Sequence, residues 1–176
     1  MSDGAFSTLM PALDSPLIVV TTAEAGERAG CLVGFHTQSS IDPPRYCVWL
    51  SKANHTYRVA LHSSHLAIHF LSAADLPLAE LFGTRTGDTV DKFAGLRVTP
   101  GAGAAPVLAD CPNWLVARRL ALLDEGGDHV CVITEPVAGH SGGRFEPLRL
   151  RRAGHLTPGH GARERHDPPT ERAAPG

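Results

Sequence analysis

GCLVGFHTQSSIDPPRYCVWLSKANHT, residues 30–56, is the stretch whose reading decides the fold. It opens as an extended segment over 30–38, with Gly30 and Gly34 set among Val33, Phe35 and His36. Glycines inside a strand mark places where another backbone or a flat ligand comes close. Thr37, Gln38, Ser39 and Ser40 follow as a run of hydroxyl and amide groups. Asp42-Pro43-Pro44 then ends regular structure. Neither proline donates a ladder hydrogen bond, and the residue before a proline is pushed out of the α region. Another strand is expected over 46–50. Asn54 can cap a short helix to about 62, whose apolar Tyr57, Ala60 and Leu61 fall at i, i+3 and i+4. Lys52, Asn54, His55 and Thr56 therefore gather at a helix start, where free N–H groups and the dipole favour phosphate. The same pattern also suits a Ser/Thr-rich loop followed by an ordinary capped helix.

Outward from this stretch, β signals dominate. Residues 17–22, Leu-Ile-Val-Val-Thr-Thr, read as a buried strand, and 23–29 as a turn. Residues 66–71 alternate into a further strand. A helix is expected over 76–82, with Asp75 as its cap and Gly83 as its stop. Residues 114–123 would suit a helix by composition, but Glu125-Gly126-Gly127-Asp128 joins them to the clear strand 130–134, so a hairpin is expected. Many short strands with two or three short helices point to a mainly β barrel. Residues 1–140 are expected to form that domain, and 141–176, rich in Pro, Gly and Arg, a disordered basic tail. The tail holds seven arginines against four acids, which leaves the body at a formal charge of −5.

With 176 residues, 43% hydrophobic and 19% charged, the chain suits one globular domain with a real core. A net charge of −2 gives no footprint for nucleic acid. No apolar run approaches the ~20 residues of a membrane span, and the N-terminus lacks a secretory pattern. Cys31, Cys47, Cys111 and Cys131 form no Cys-x-x-Cys pair and read as reduced thiols of a cytoplasmic protein. No metal site is expected, because His62, His65 and His69 span a helix end and a strand, and His155, His160 and His166 lie in the tail.

The segment 30–56 resembles the signature of the flavin reductase-like family, a Greek-key split barrel that binds FMN. The matching pieces are Gly30, then Ser40-Ile41-Asp42-Pro43-Pro44, then Lys52-Ala53-Asn54-His55-Thr56. Asp91-Lys92-Phe93-Ala94-Gly95 and Gly127-Asp128-His129 extend the likeness over roughly 15–137. The resemblance implies a six-stranded barrel, a homodimer with FMN (or FAD) near the subunit interface, and hydride transfer from NADH or NADPH to the flavin. It implies that reduced flavin can serve a partner monooxygenase. By position, Val33, Gly34, Phe35 and His36 would meet the ring system. Gln38, Ser39 and Ser40 would reach the ribityl chain or phosphate, and Lys52, Asn54, His55 and Thr56 would complete the phosphate site. His129 would stand on the substrate side as the catalytic residue. Leu32, His36 and Gln38 depart from the family pattern at the ring end, and Thr134-Glu135-Pro136-Val137 replaces a Gly-Glu-Val. Those departures keep open a deazaflavin-using or other redox enzyme of the wider split-barrel group, and the ten histidines a non-catalytic flavin- or haem-binding barrel.

Overall fold

The computed structural model describes residues 3–157. Nine strands are present among them: β1 (Ile18–Glu24), β2 (Glu27–Val33), β3 (His36–Ser40), β4 (Arg45–Ser51), β5 (His65–Phe70), β6 (Val98–Pro100), β7 (Pro106–Leu108), β8 (Trp114–Leu123) and β9 (His129–His140). The α-helices are α1 (Asp3–Ala12), α2 (His55–Ala60) and α3 (Leu76–Thr84). Seven strands form one antiparallel sheet in the order β2-β1-β5-β8-β9-β4-β3, and β6 pairs with β7.

The sheet closes through the chain itself. The strand expected over 30–38 is bent: it pairs with β1 up to Val33, breaks at Gly34 and Phe35, and pairs with β4 from His36. Counted as one bent strand, β2 and β3 bring the ring to six strands, and β5 returns to lie beside β1 in Greek-key fashion. A single backbone bond, Trp49 N–H to Phe35 O at 2.9 Å, bridges the break. Ala25 and Gly26, both at positive φ, form the two-residue turn between β1 and β2. The expected hairpin of 114–123 with 130–134 is present as β8 and β9, the longest strands of the sheet.

The barrel interior holds Ile18, Val20, Val48, Leu50, Leu66, Ile68 and Val132. Val19 on the opposite face of β1, and Leu17 just before the strand, pack with Leu71, Phe82, Phe93, Leu108 and Leu148 in a second core beneath α3. β1 is covered on both faces, which is why 17–20 reads as an unbroken apolar run. His69 sits between the layers, fully buried: its Nδ1–H donates to Val19 O at 3.1 Å and its Nε2 accepts from Leu108 N–H at 2.9 Å. Burial pushes its pKa down to about 4.

Three sequence expectations meet a different outcome. Gly83 lies inside α3 rather than ending it; a Cβ there would stand 2.9 Å from Leu32 Cδ2, so the glycine serves close helix–strand packing. Asp75 turns back to accept from Ser72 N–H and Ser72 Oγ–H, both at 2.7 Å, instead of capping α3. The segment after 140 is tied to the body as far as it is described. Leu148 is 1% exposed, its N–H donates to Leu71 O at 2.8 Å, and its carbonyl accepts from Leu17 N–H at 2.8 Å. Its apolar anchors, Leu148, Ala153 and Leu156, insert singly and carry no period to read. The remainder of that expected tail, 158–176, lies outside the described residues. No helix among the described residues is long and apolar enough to cross a membrane.

Candidate functional site

A cavity of about 580 Å³ opens where the bend of β2–β3 meets the ends of β4 and β9. Small-molecule sites are commonly ~300–1,000 Å³. Its walls are mostly apolar: Leu17, Leu32, Val33, Phe35, Trp49 and Phe82 from the barrel and α3, Phe6, Met10 and Leu13 from α1 and its end, and Leu150 and Leu156 from the C-terminal segment. Ser15, Ser51, Asn54, Arg85 and His129 supply the polar side chains, and among the described residues no carboxylate lines it. Ser51 Oγ is buried without a hydrogen-bond partner. α1 forms one wall but is held mainly from its C-terminal end, where Asp14 accepts Arg151 N–H at 2.8 Å on its carboxylate and an Arg149 guanidinium N–H at 3.0 Å on its carbonyl.

Of the residues singled out from sequence, the fold brings Val33, Gly34, Phe35, Asn54 and His129 to this cavity. His129 begins β9 opposite Ser51 of β4. Its Nδ1–H donates to Asp128 Oδ1 at 2.8 Å, and the Phe35 ring lies edge-on at 5.2 Å between centroids. The His129 bond holds the Asp128 carboxyl below its ordinary pKa. With Nδ1 committed, the neutral ring keeps its lone pair on Nε2. Asn54 caps α2, its Oδ1 accepting Thr56 N–H at 3.2 Å, as the spacing predicts.

The other candidates lie elsewhere. His36 turns inward: its Nε2–H donates to Pro16 O at 3.0 Å and its Nδ1 accepts from the Tyr46 hydroxyl at 2.6 Å. Burial lowers the His36 pKa and raises that of Tyr46 to about 12. On β3, Gln38 donates to Ser40 O at 3.1 Å, and Ser39 Oγ accepts from Cys47 Sγ at 3.2 Å. Gln38, Ser39 and Ser40 are not among the cavity-lining residues. Lys52 pairs with Asp124 at 2.8 Å, and its backbone N–H donates to Asp128 O at 2.9 Å, so it ties β4 to the loop that precedes His129. Thr56, in the first turn of α2, is buried. His55 faces a second, smaller cavity of about 340 Å³ across Gly30, where it lies 3.1 Å from Glu27 Oε1 and 3.2 Å from Asp88 Oδ1. Lys92 also borders that cavity, its Nζ donating to Gly30 O at 3.0 Å and Phe82 O at 3.1 Å.

Sequence reasoning misses Trp49, Ser51, Arg85 and the α1 residues. Trp49 and Ser51 alternate outward from a strand whose other face fills the barrel, which is the one signal the sequence offers for them.

A family model described as the flavin reductase like domain matches residues 10–156. The FMN reductase (NADH) RutF of Bradyrhizobium diazoefficiens is 30% identical over 102 residues, covering 58% of this chain and 56% of that protein. The high molecular weight rubredoxin of Moorella thermoacetica is 32% identical over 115 residues, covering 64% of this chain and 50% of that protein. The chain thus spans about half the length of these curated relatives. Among solved structures, the flavin reductase domain protein of Arthrobacter sp. FB24 superposes with a TM-score of 0.74 at 22% identity, over 84% of this chain and 89% of that one. On the extent of the family match, together with the shared split barrel, the chain belongs to the flavin reductase like domain family.

Proposed function

We propose that the chain is an FMN-dependent oxidoreductase that accepts electrons from NADH or NADPH, with the 580 Å³ cavity as its flavin site. The observation that carries this reading is the convergence of Val33, Gly34, Phe35, Asn54 and His129 on one cavity in a member of this family. A relative of similar sequence is an FMN reductase (NADH). The residues suit the group: Trp49, Phe35 and Leu32 offer flat apolar surface, and the buried Ser51 hydroxyl lacks a partner. When bound, FMN supplies the hydride acceptor. The protein's part is to hold and orient. Phe35 and Asp128 fix the His129 ring, and His129 Nε2 is set to hydrogen-bond the nicotinamide donor or the ring edge of the flavin.

The reading extends to a cytoplasmic homodimer. The outer face of β8, β9 and β4 carries two apolar cross-strand rows, Leu123–Cys131–Trp49 and Ala121–Ile133–Cys47. Leu123 is 47% exposed and neighbouring Phe35 60%. A charged row borders them, with Glu135 paired to Arg45 at 2.8 Å and to Arg118. An apolar centre with a polar rim suits a second copy of this chain, and such a dimer would have the cavity beside its interface. All four cysteines are free thiols, in keeping with a reducing compartment. Supply of reduced flavin to a partner monooxygenase rests on the family resemblance alone.

The test is a visible spectrum of the purified protein, followed by anaerobic oxidation of NADH and then NADPH with added FMN. Flavin bands with turnover are expected. Flavin binding without turnover by either donor would remove the reductase reading, and a Soret band would replace flavin with haem.

A further inference from the structure

We infer that Arg85 is the residue that recognises the phosphate of the flavin, so that the cavity distinguishes a flavin phosphate monoester from the bare flavin. The inference rests on the flavin reading above. Arg85 follows the last residue of α3 and lines the 580 Å³ cavity. Among the described residues it has neither an ion-pair nor a hydrogen-bond partner.

The surrounding cations are committed elsewhere. Lys52 holds Asp124. Arg58 holds Asp88. Arg28 lies 3.5 Å from Asp91. Lys92 is 4% exposed and donates to two backbone carbonyls. The smaller cavity beside His55 is lined by Glu27 and Asp91, which disfavour an anion there. Among the described residues the larger cavity is lined by no carboxylate, so Arg85 meets no competing negative charge from them along its walls.

The backbone gives Arg85 its place. The segment after it packs on the start of α2: Asp88 pairs with His55, and a Cβ on Gly87 would stand 2.7 Å from the His55 ring. Arg85 is thereby brought to the same cavity as Asn54 and the unpartnered Ser51 hydroxyl. A guanidinium offers five fixed donors and takes a phosphate monoester bidentately, while a hydroxyl and an amide can meet the adjoining polar chain.

The experiment is a fluorescence titration of the full chain with FMN and, separately, with riboflavin, for wild type, Arg85→Ala and Arg85→Lys. Arg85→Ala should weaken FMN binding by about 10- to 100-fold, the scale of a lost charge-assisted pair, and leave riboflavin affinity unchanged. Arg85→Lys should recover part of the loss, since a point charge replaces the fork. Unchanged thermal melting of both variants will show that the fold is intact, as expected for an exposed side chain without a partner. FMN affinity that survives Arg85→Ala overturns the inference. So does an equal fall for FMN and riboflavin. A rise in the NADPH KM alone, with NADH and FMN unaffected, also overturns it and assigns the arginine to the nicotinamide's phosphate. If wild type binds riboflavin but has no preference for FMN, the flavin reading stands and the inference fails. If wild type binds neither, the flavin reading fails and takes the inference with it.

Discussion

His129 and His69 show how one residue type takes opposite roles from its surroundings. His129 is half-buried at the cavity, and Asp128 orients it. Replacing His129 by Ala should lower turnover by roughly 10- to 100-fold, the scale of one lost hydrogen bond to a charged or developing-charge centre, and leave FMN affinity near normal. Steady-state kinetics beside a flavin titration will check this; an equal loss of both would make His129 structural. His69 is spent on the fold. Its folded pKa of about 4 lies below the ordinary value near 6.5, so the neutral ring is the form that folding favours. Its contribution is complete above pH ~6.5 and is lost as pH falls toward 4, at most about 3 kcal/mol. Urea midpoints should therefore fall between pH 7 and 5, and His69→Gln should flatten that slope while lowering stability at neutral pH. A wild-type slope that matches the variant's would refute it. Legibility at this scale follows distance along the chain. The Asn54 cap and the Gly127-Asp128-His129 turn involve residues a few positions apart and are readable. Lys52 is set by Asp124, and Arg85 by the packing of 87–88 on His55; both depend on which distant strands and loops become neighbours.

At the scale of elements, β2 and α3 are pressed together more closely than a side chain at Gly30 would allow. A Cβ on Gly30 would stand 2.7 Å from the Phe82 ring, while Lys92 bridges Gly30 O and Phe82 O. Gly30→Ala should cost ~1–3 kcal/mol, the usual penalty for overfilling a packed core, measured as a shift in urea midpoint. No shift would mean that α3 yields freely. α1 presents the reverse case. Phe6 and Leu9 are 70% and 59% exposed, and the helix is fastened chiefly where Asp14 meets Arg149 and Arg151. Deleting 3–12 should leave the melting temperature within a few degrees and speed flavin release about tenfold, as losing cover over about 60 Å² of apolar ligand surface would. Stopped-flow release will measure it. The strands and the β8–β9 hairpin were legible because alternation and turn chemistry are local. α1, β6 and β7 were not, since their residues carry weak periodicity and take their shape from the layer beneath.

The molecule as a whole leaves two surfaces unfinished. One is the apolar face of β8, β9 and β4, and Leu123→Asp at its edge should convert a dimer to a monomer in light scattering. A monomeric wild type would dispose of the dimer. The other is the break in the ring. β2 and β3 are the two ends of the sheet order, and no ladder joins β2 to β4. The far edge of β2 instead runs past Cys31, Leu32 and Val33 into the cavity wall. An unpaired strand edge is a template for any other extended chain, and proteins ordinarily cover it or blunt it with charge. Here α2 and α3 pack against β2, and the rest of its edge faces the cavity. If flavin fills the cavity as proposed, it is also a guard on solubility: stripped of it, the chain should assemble edge to edge at concentrations where the loaded protein stays dispersed.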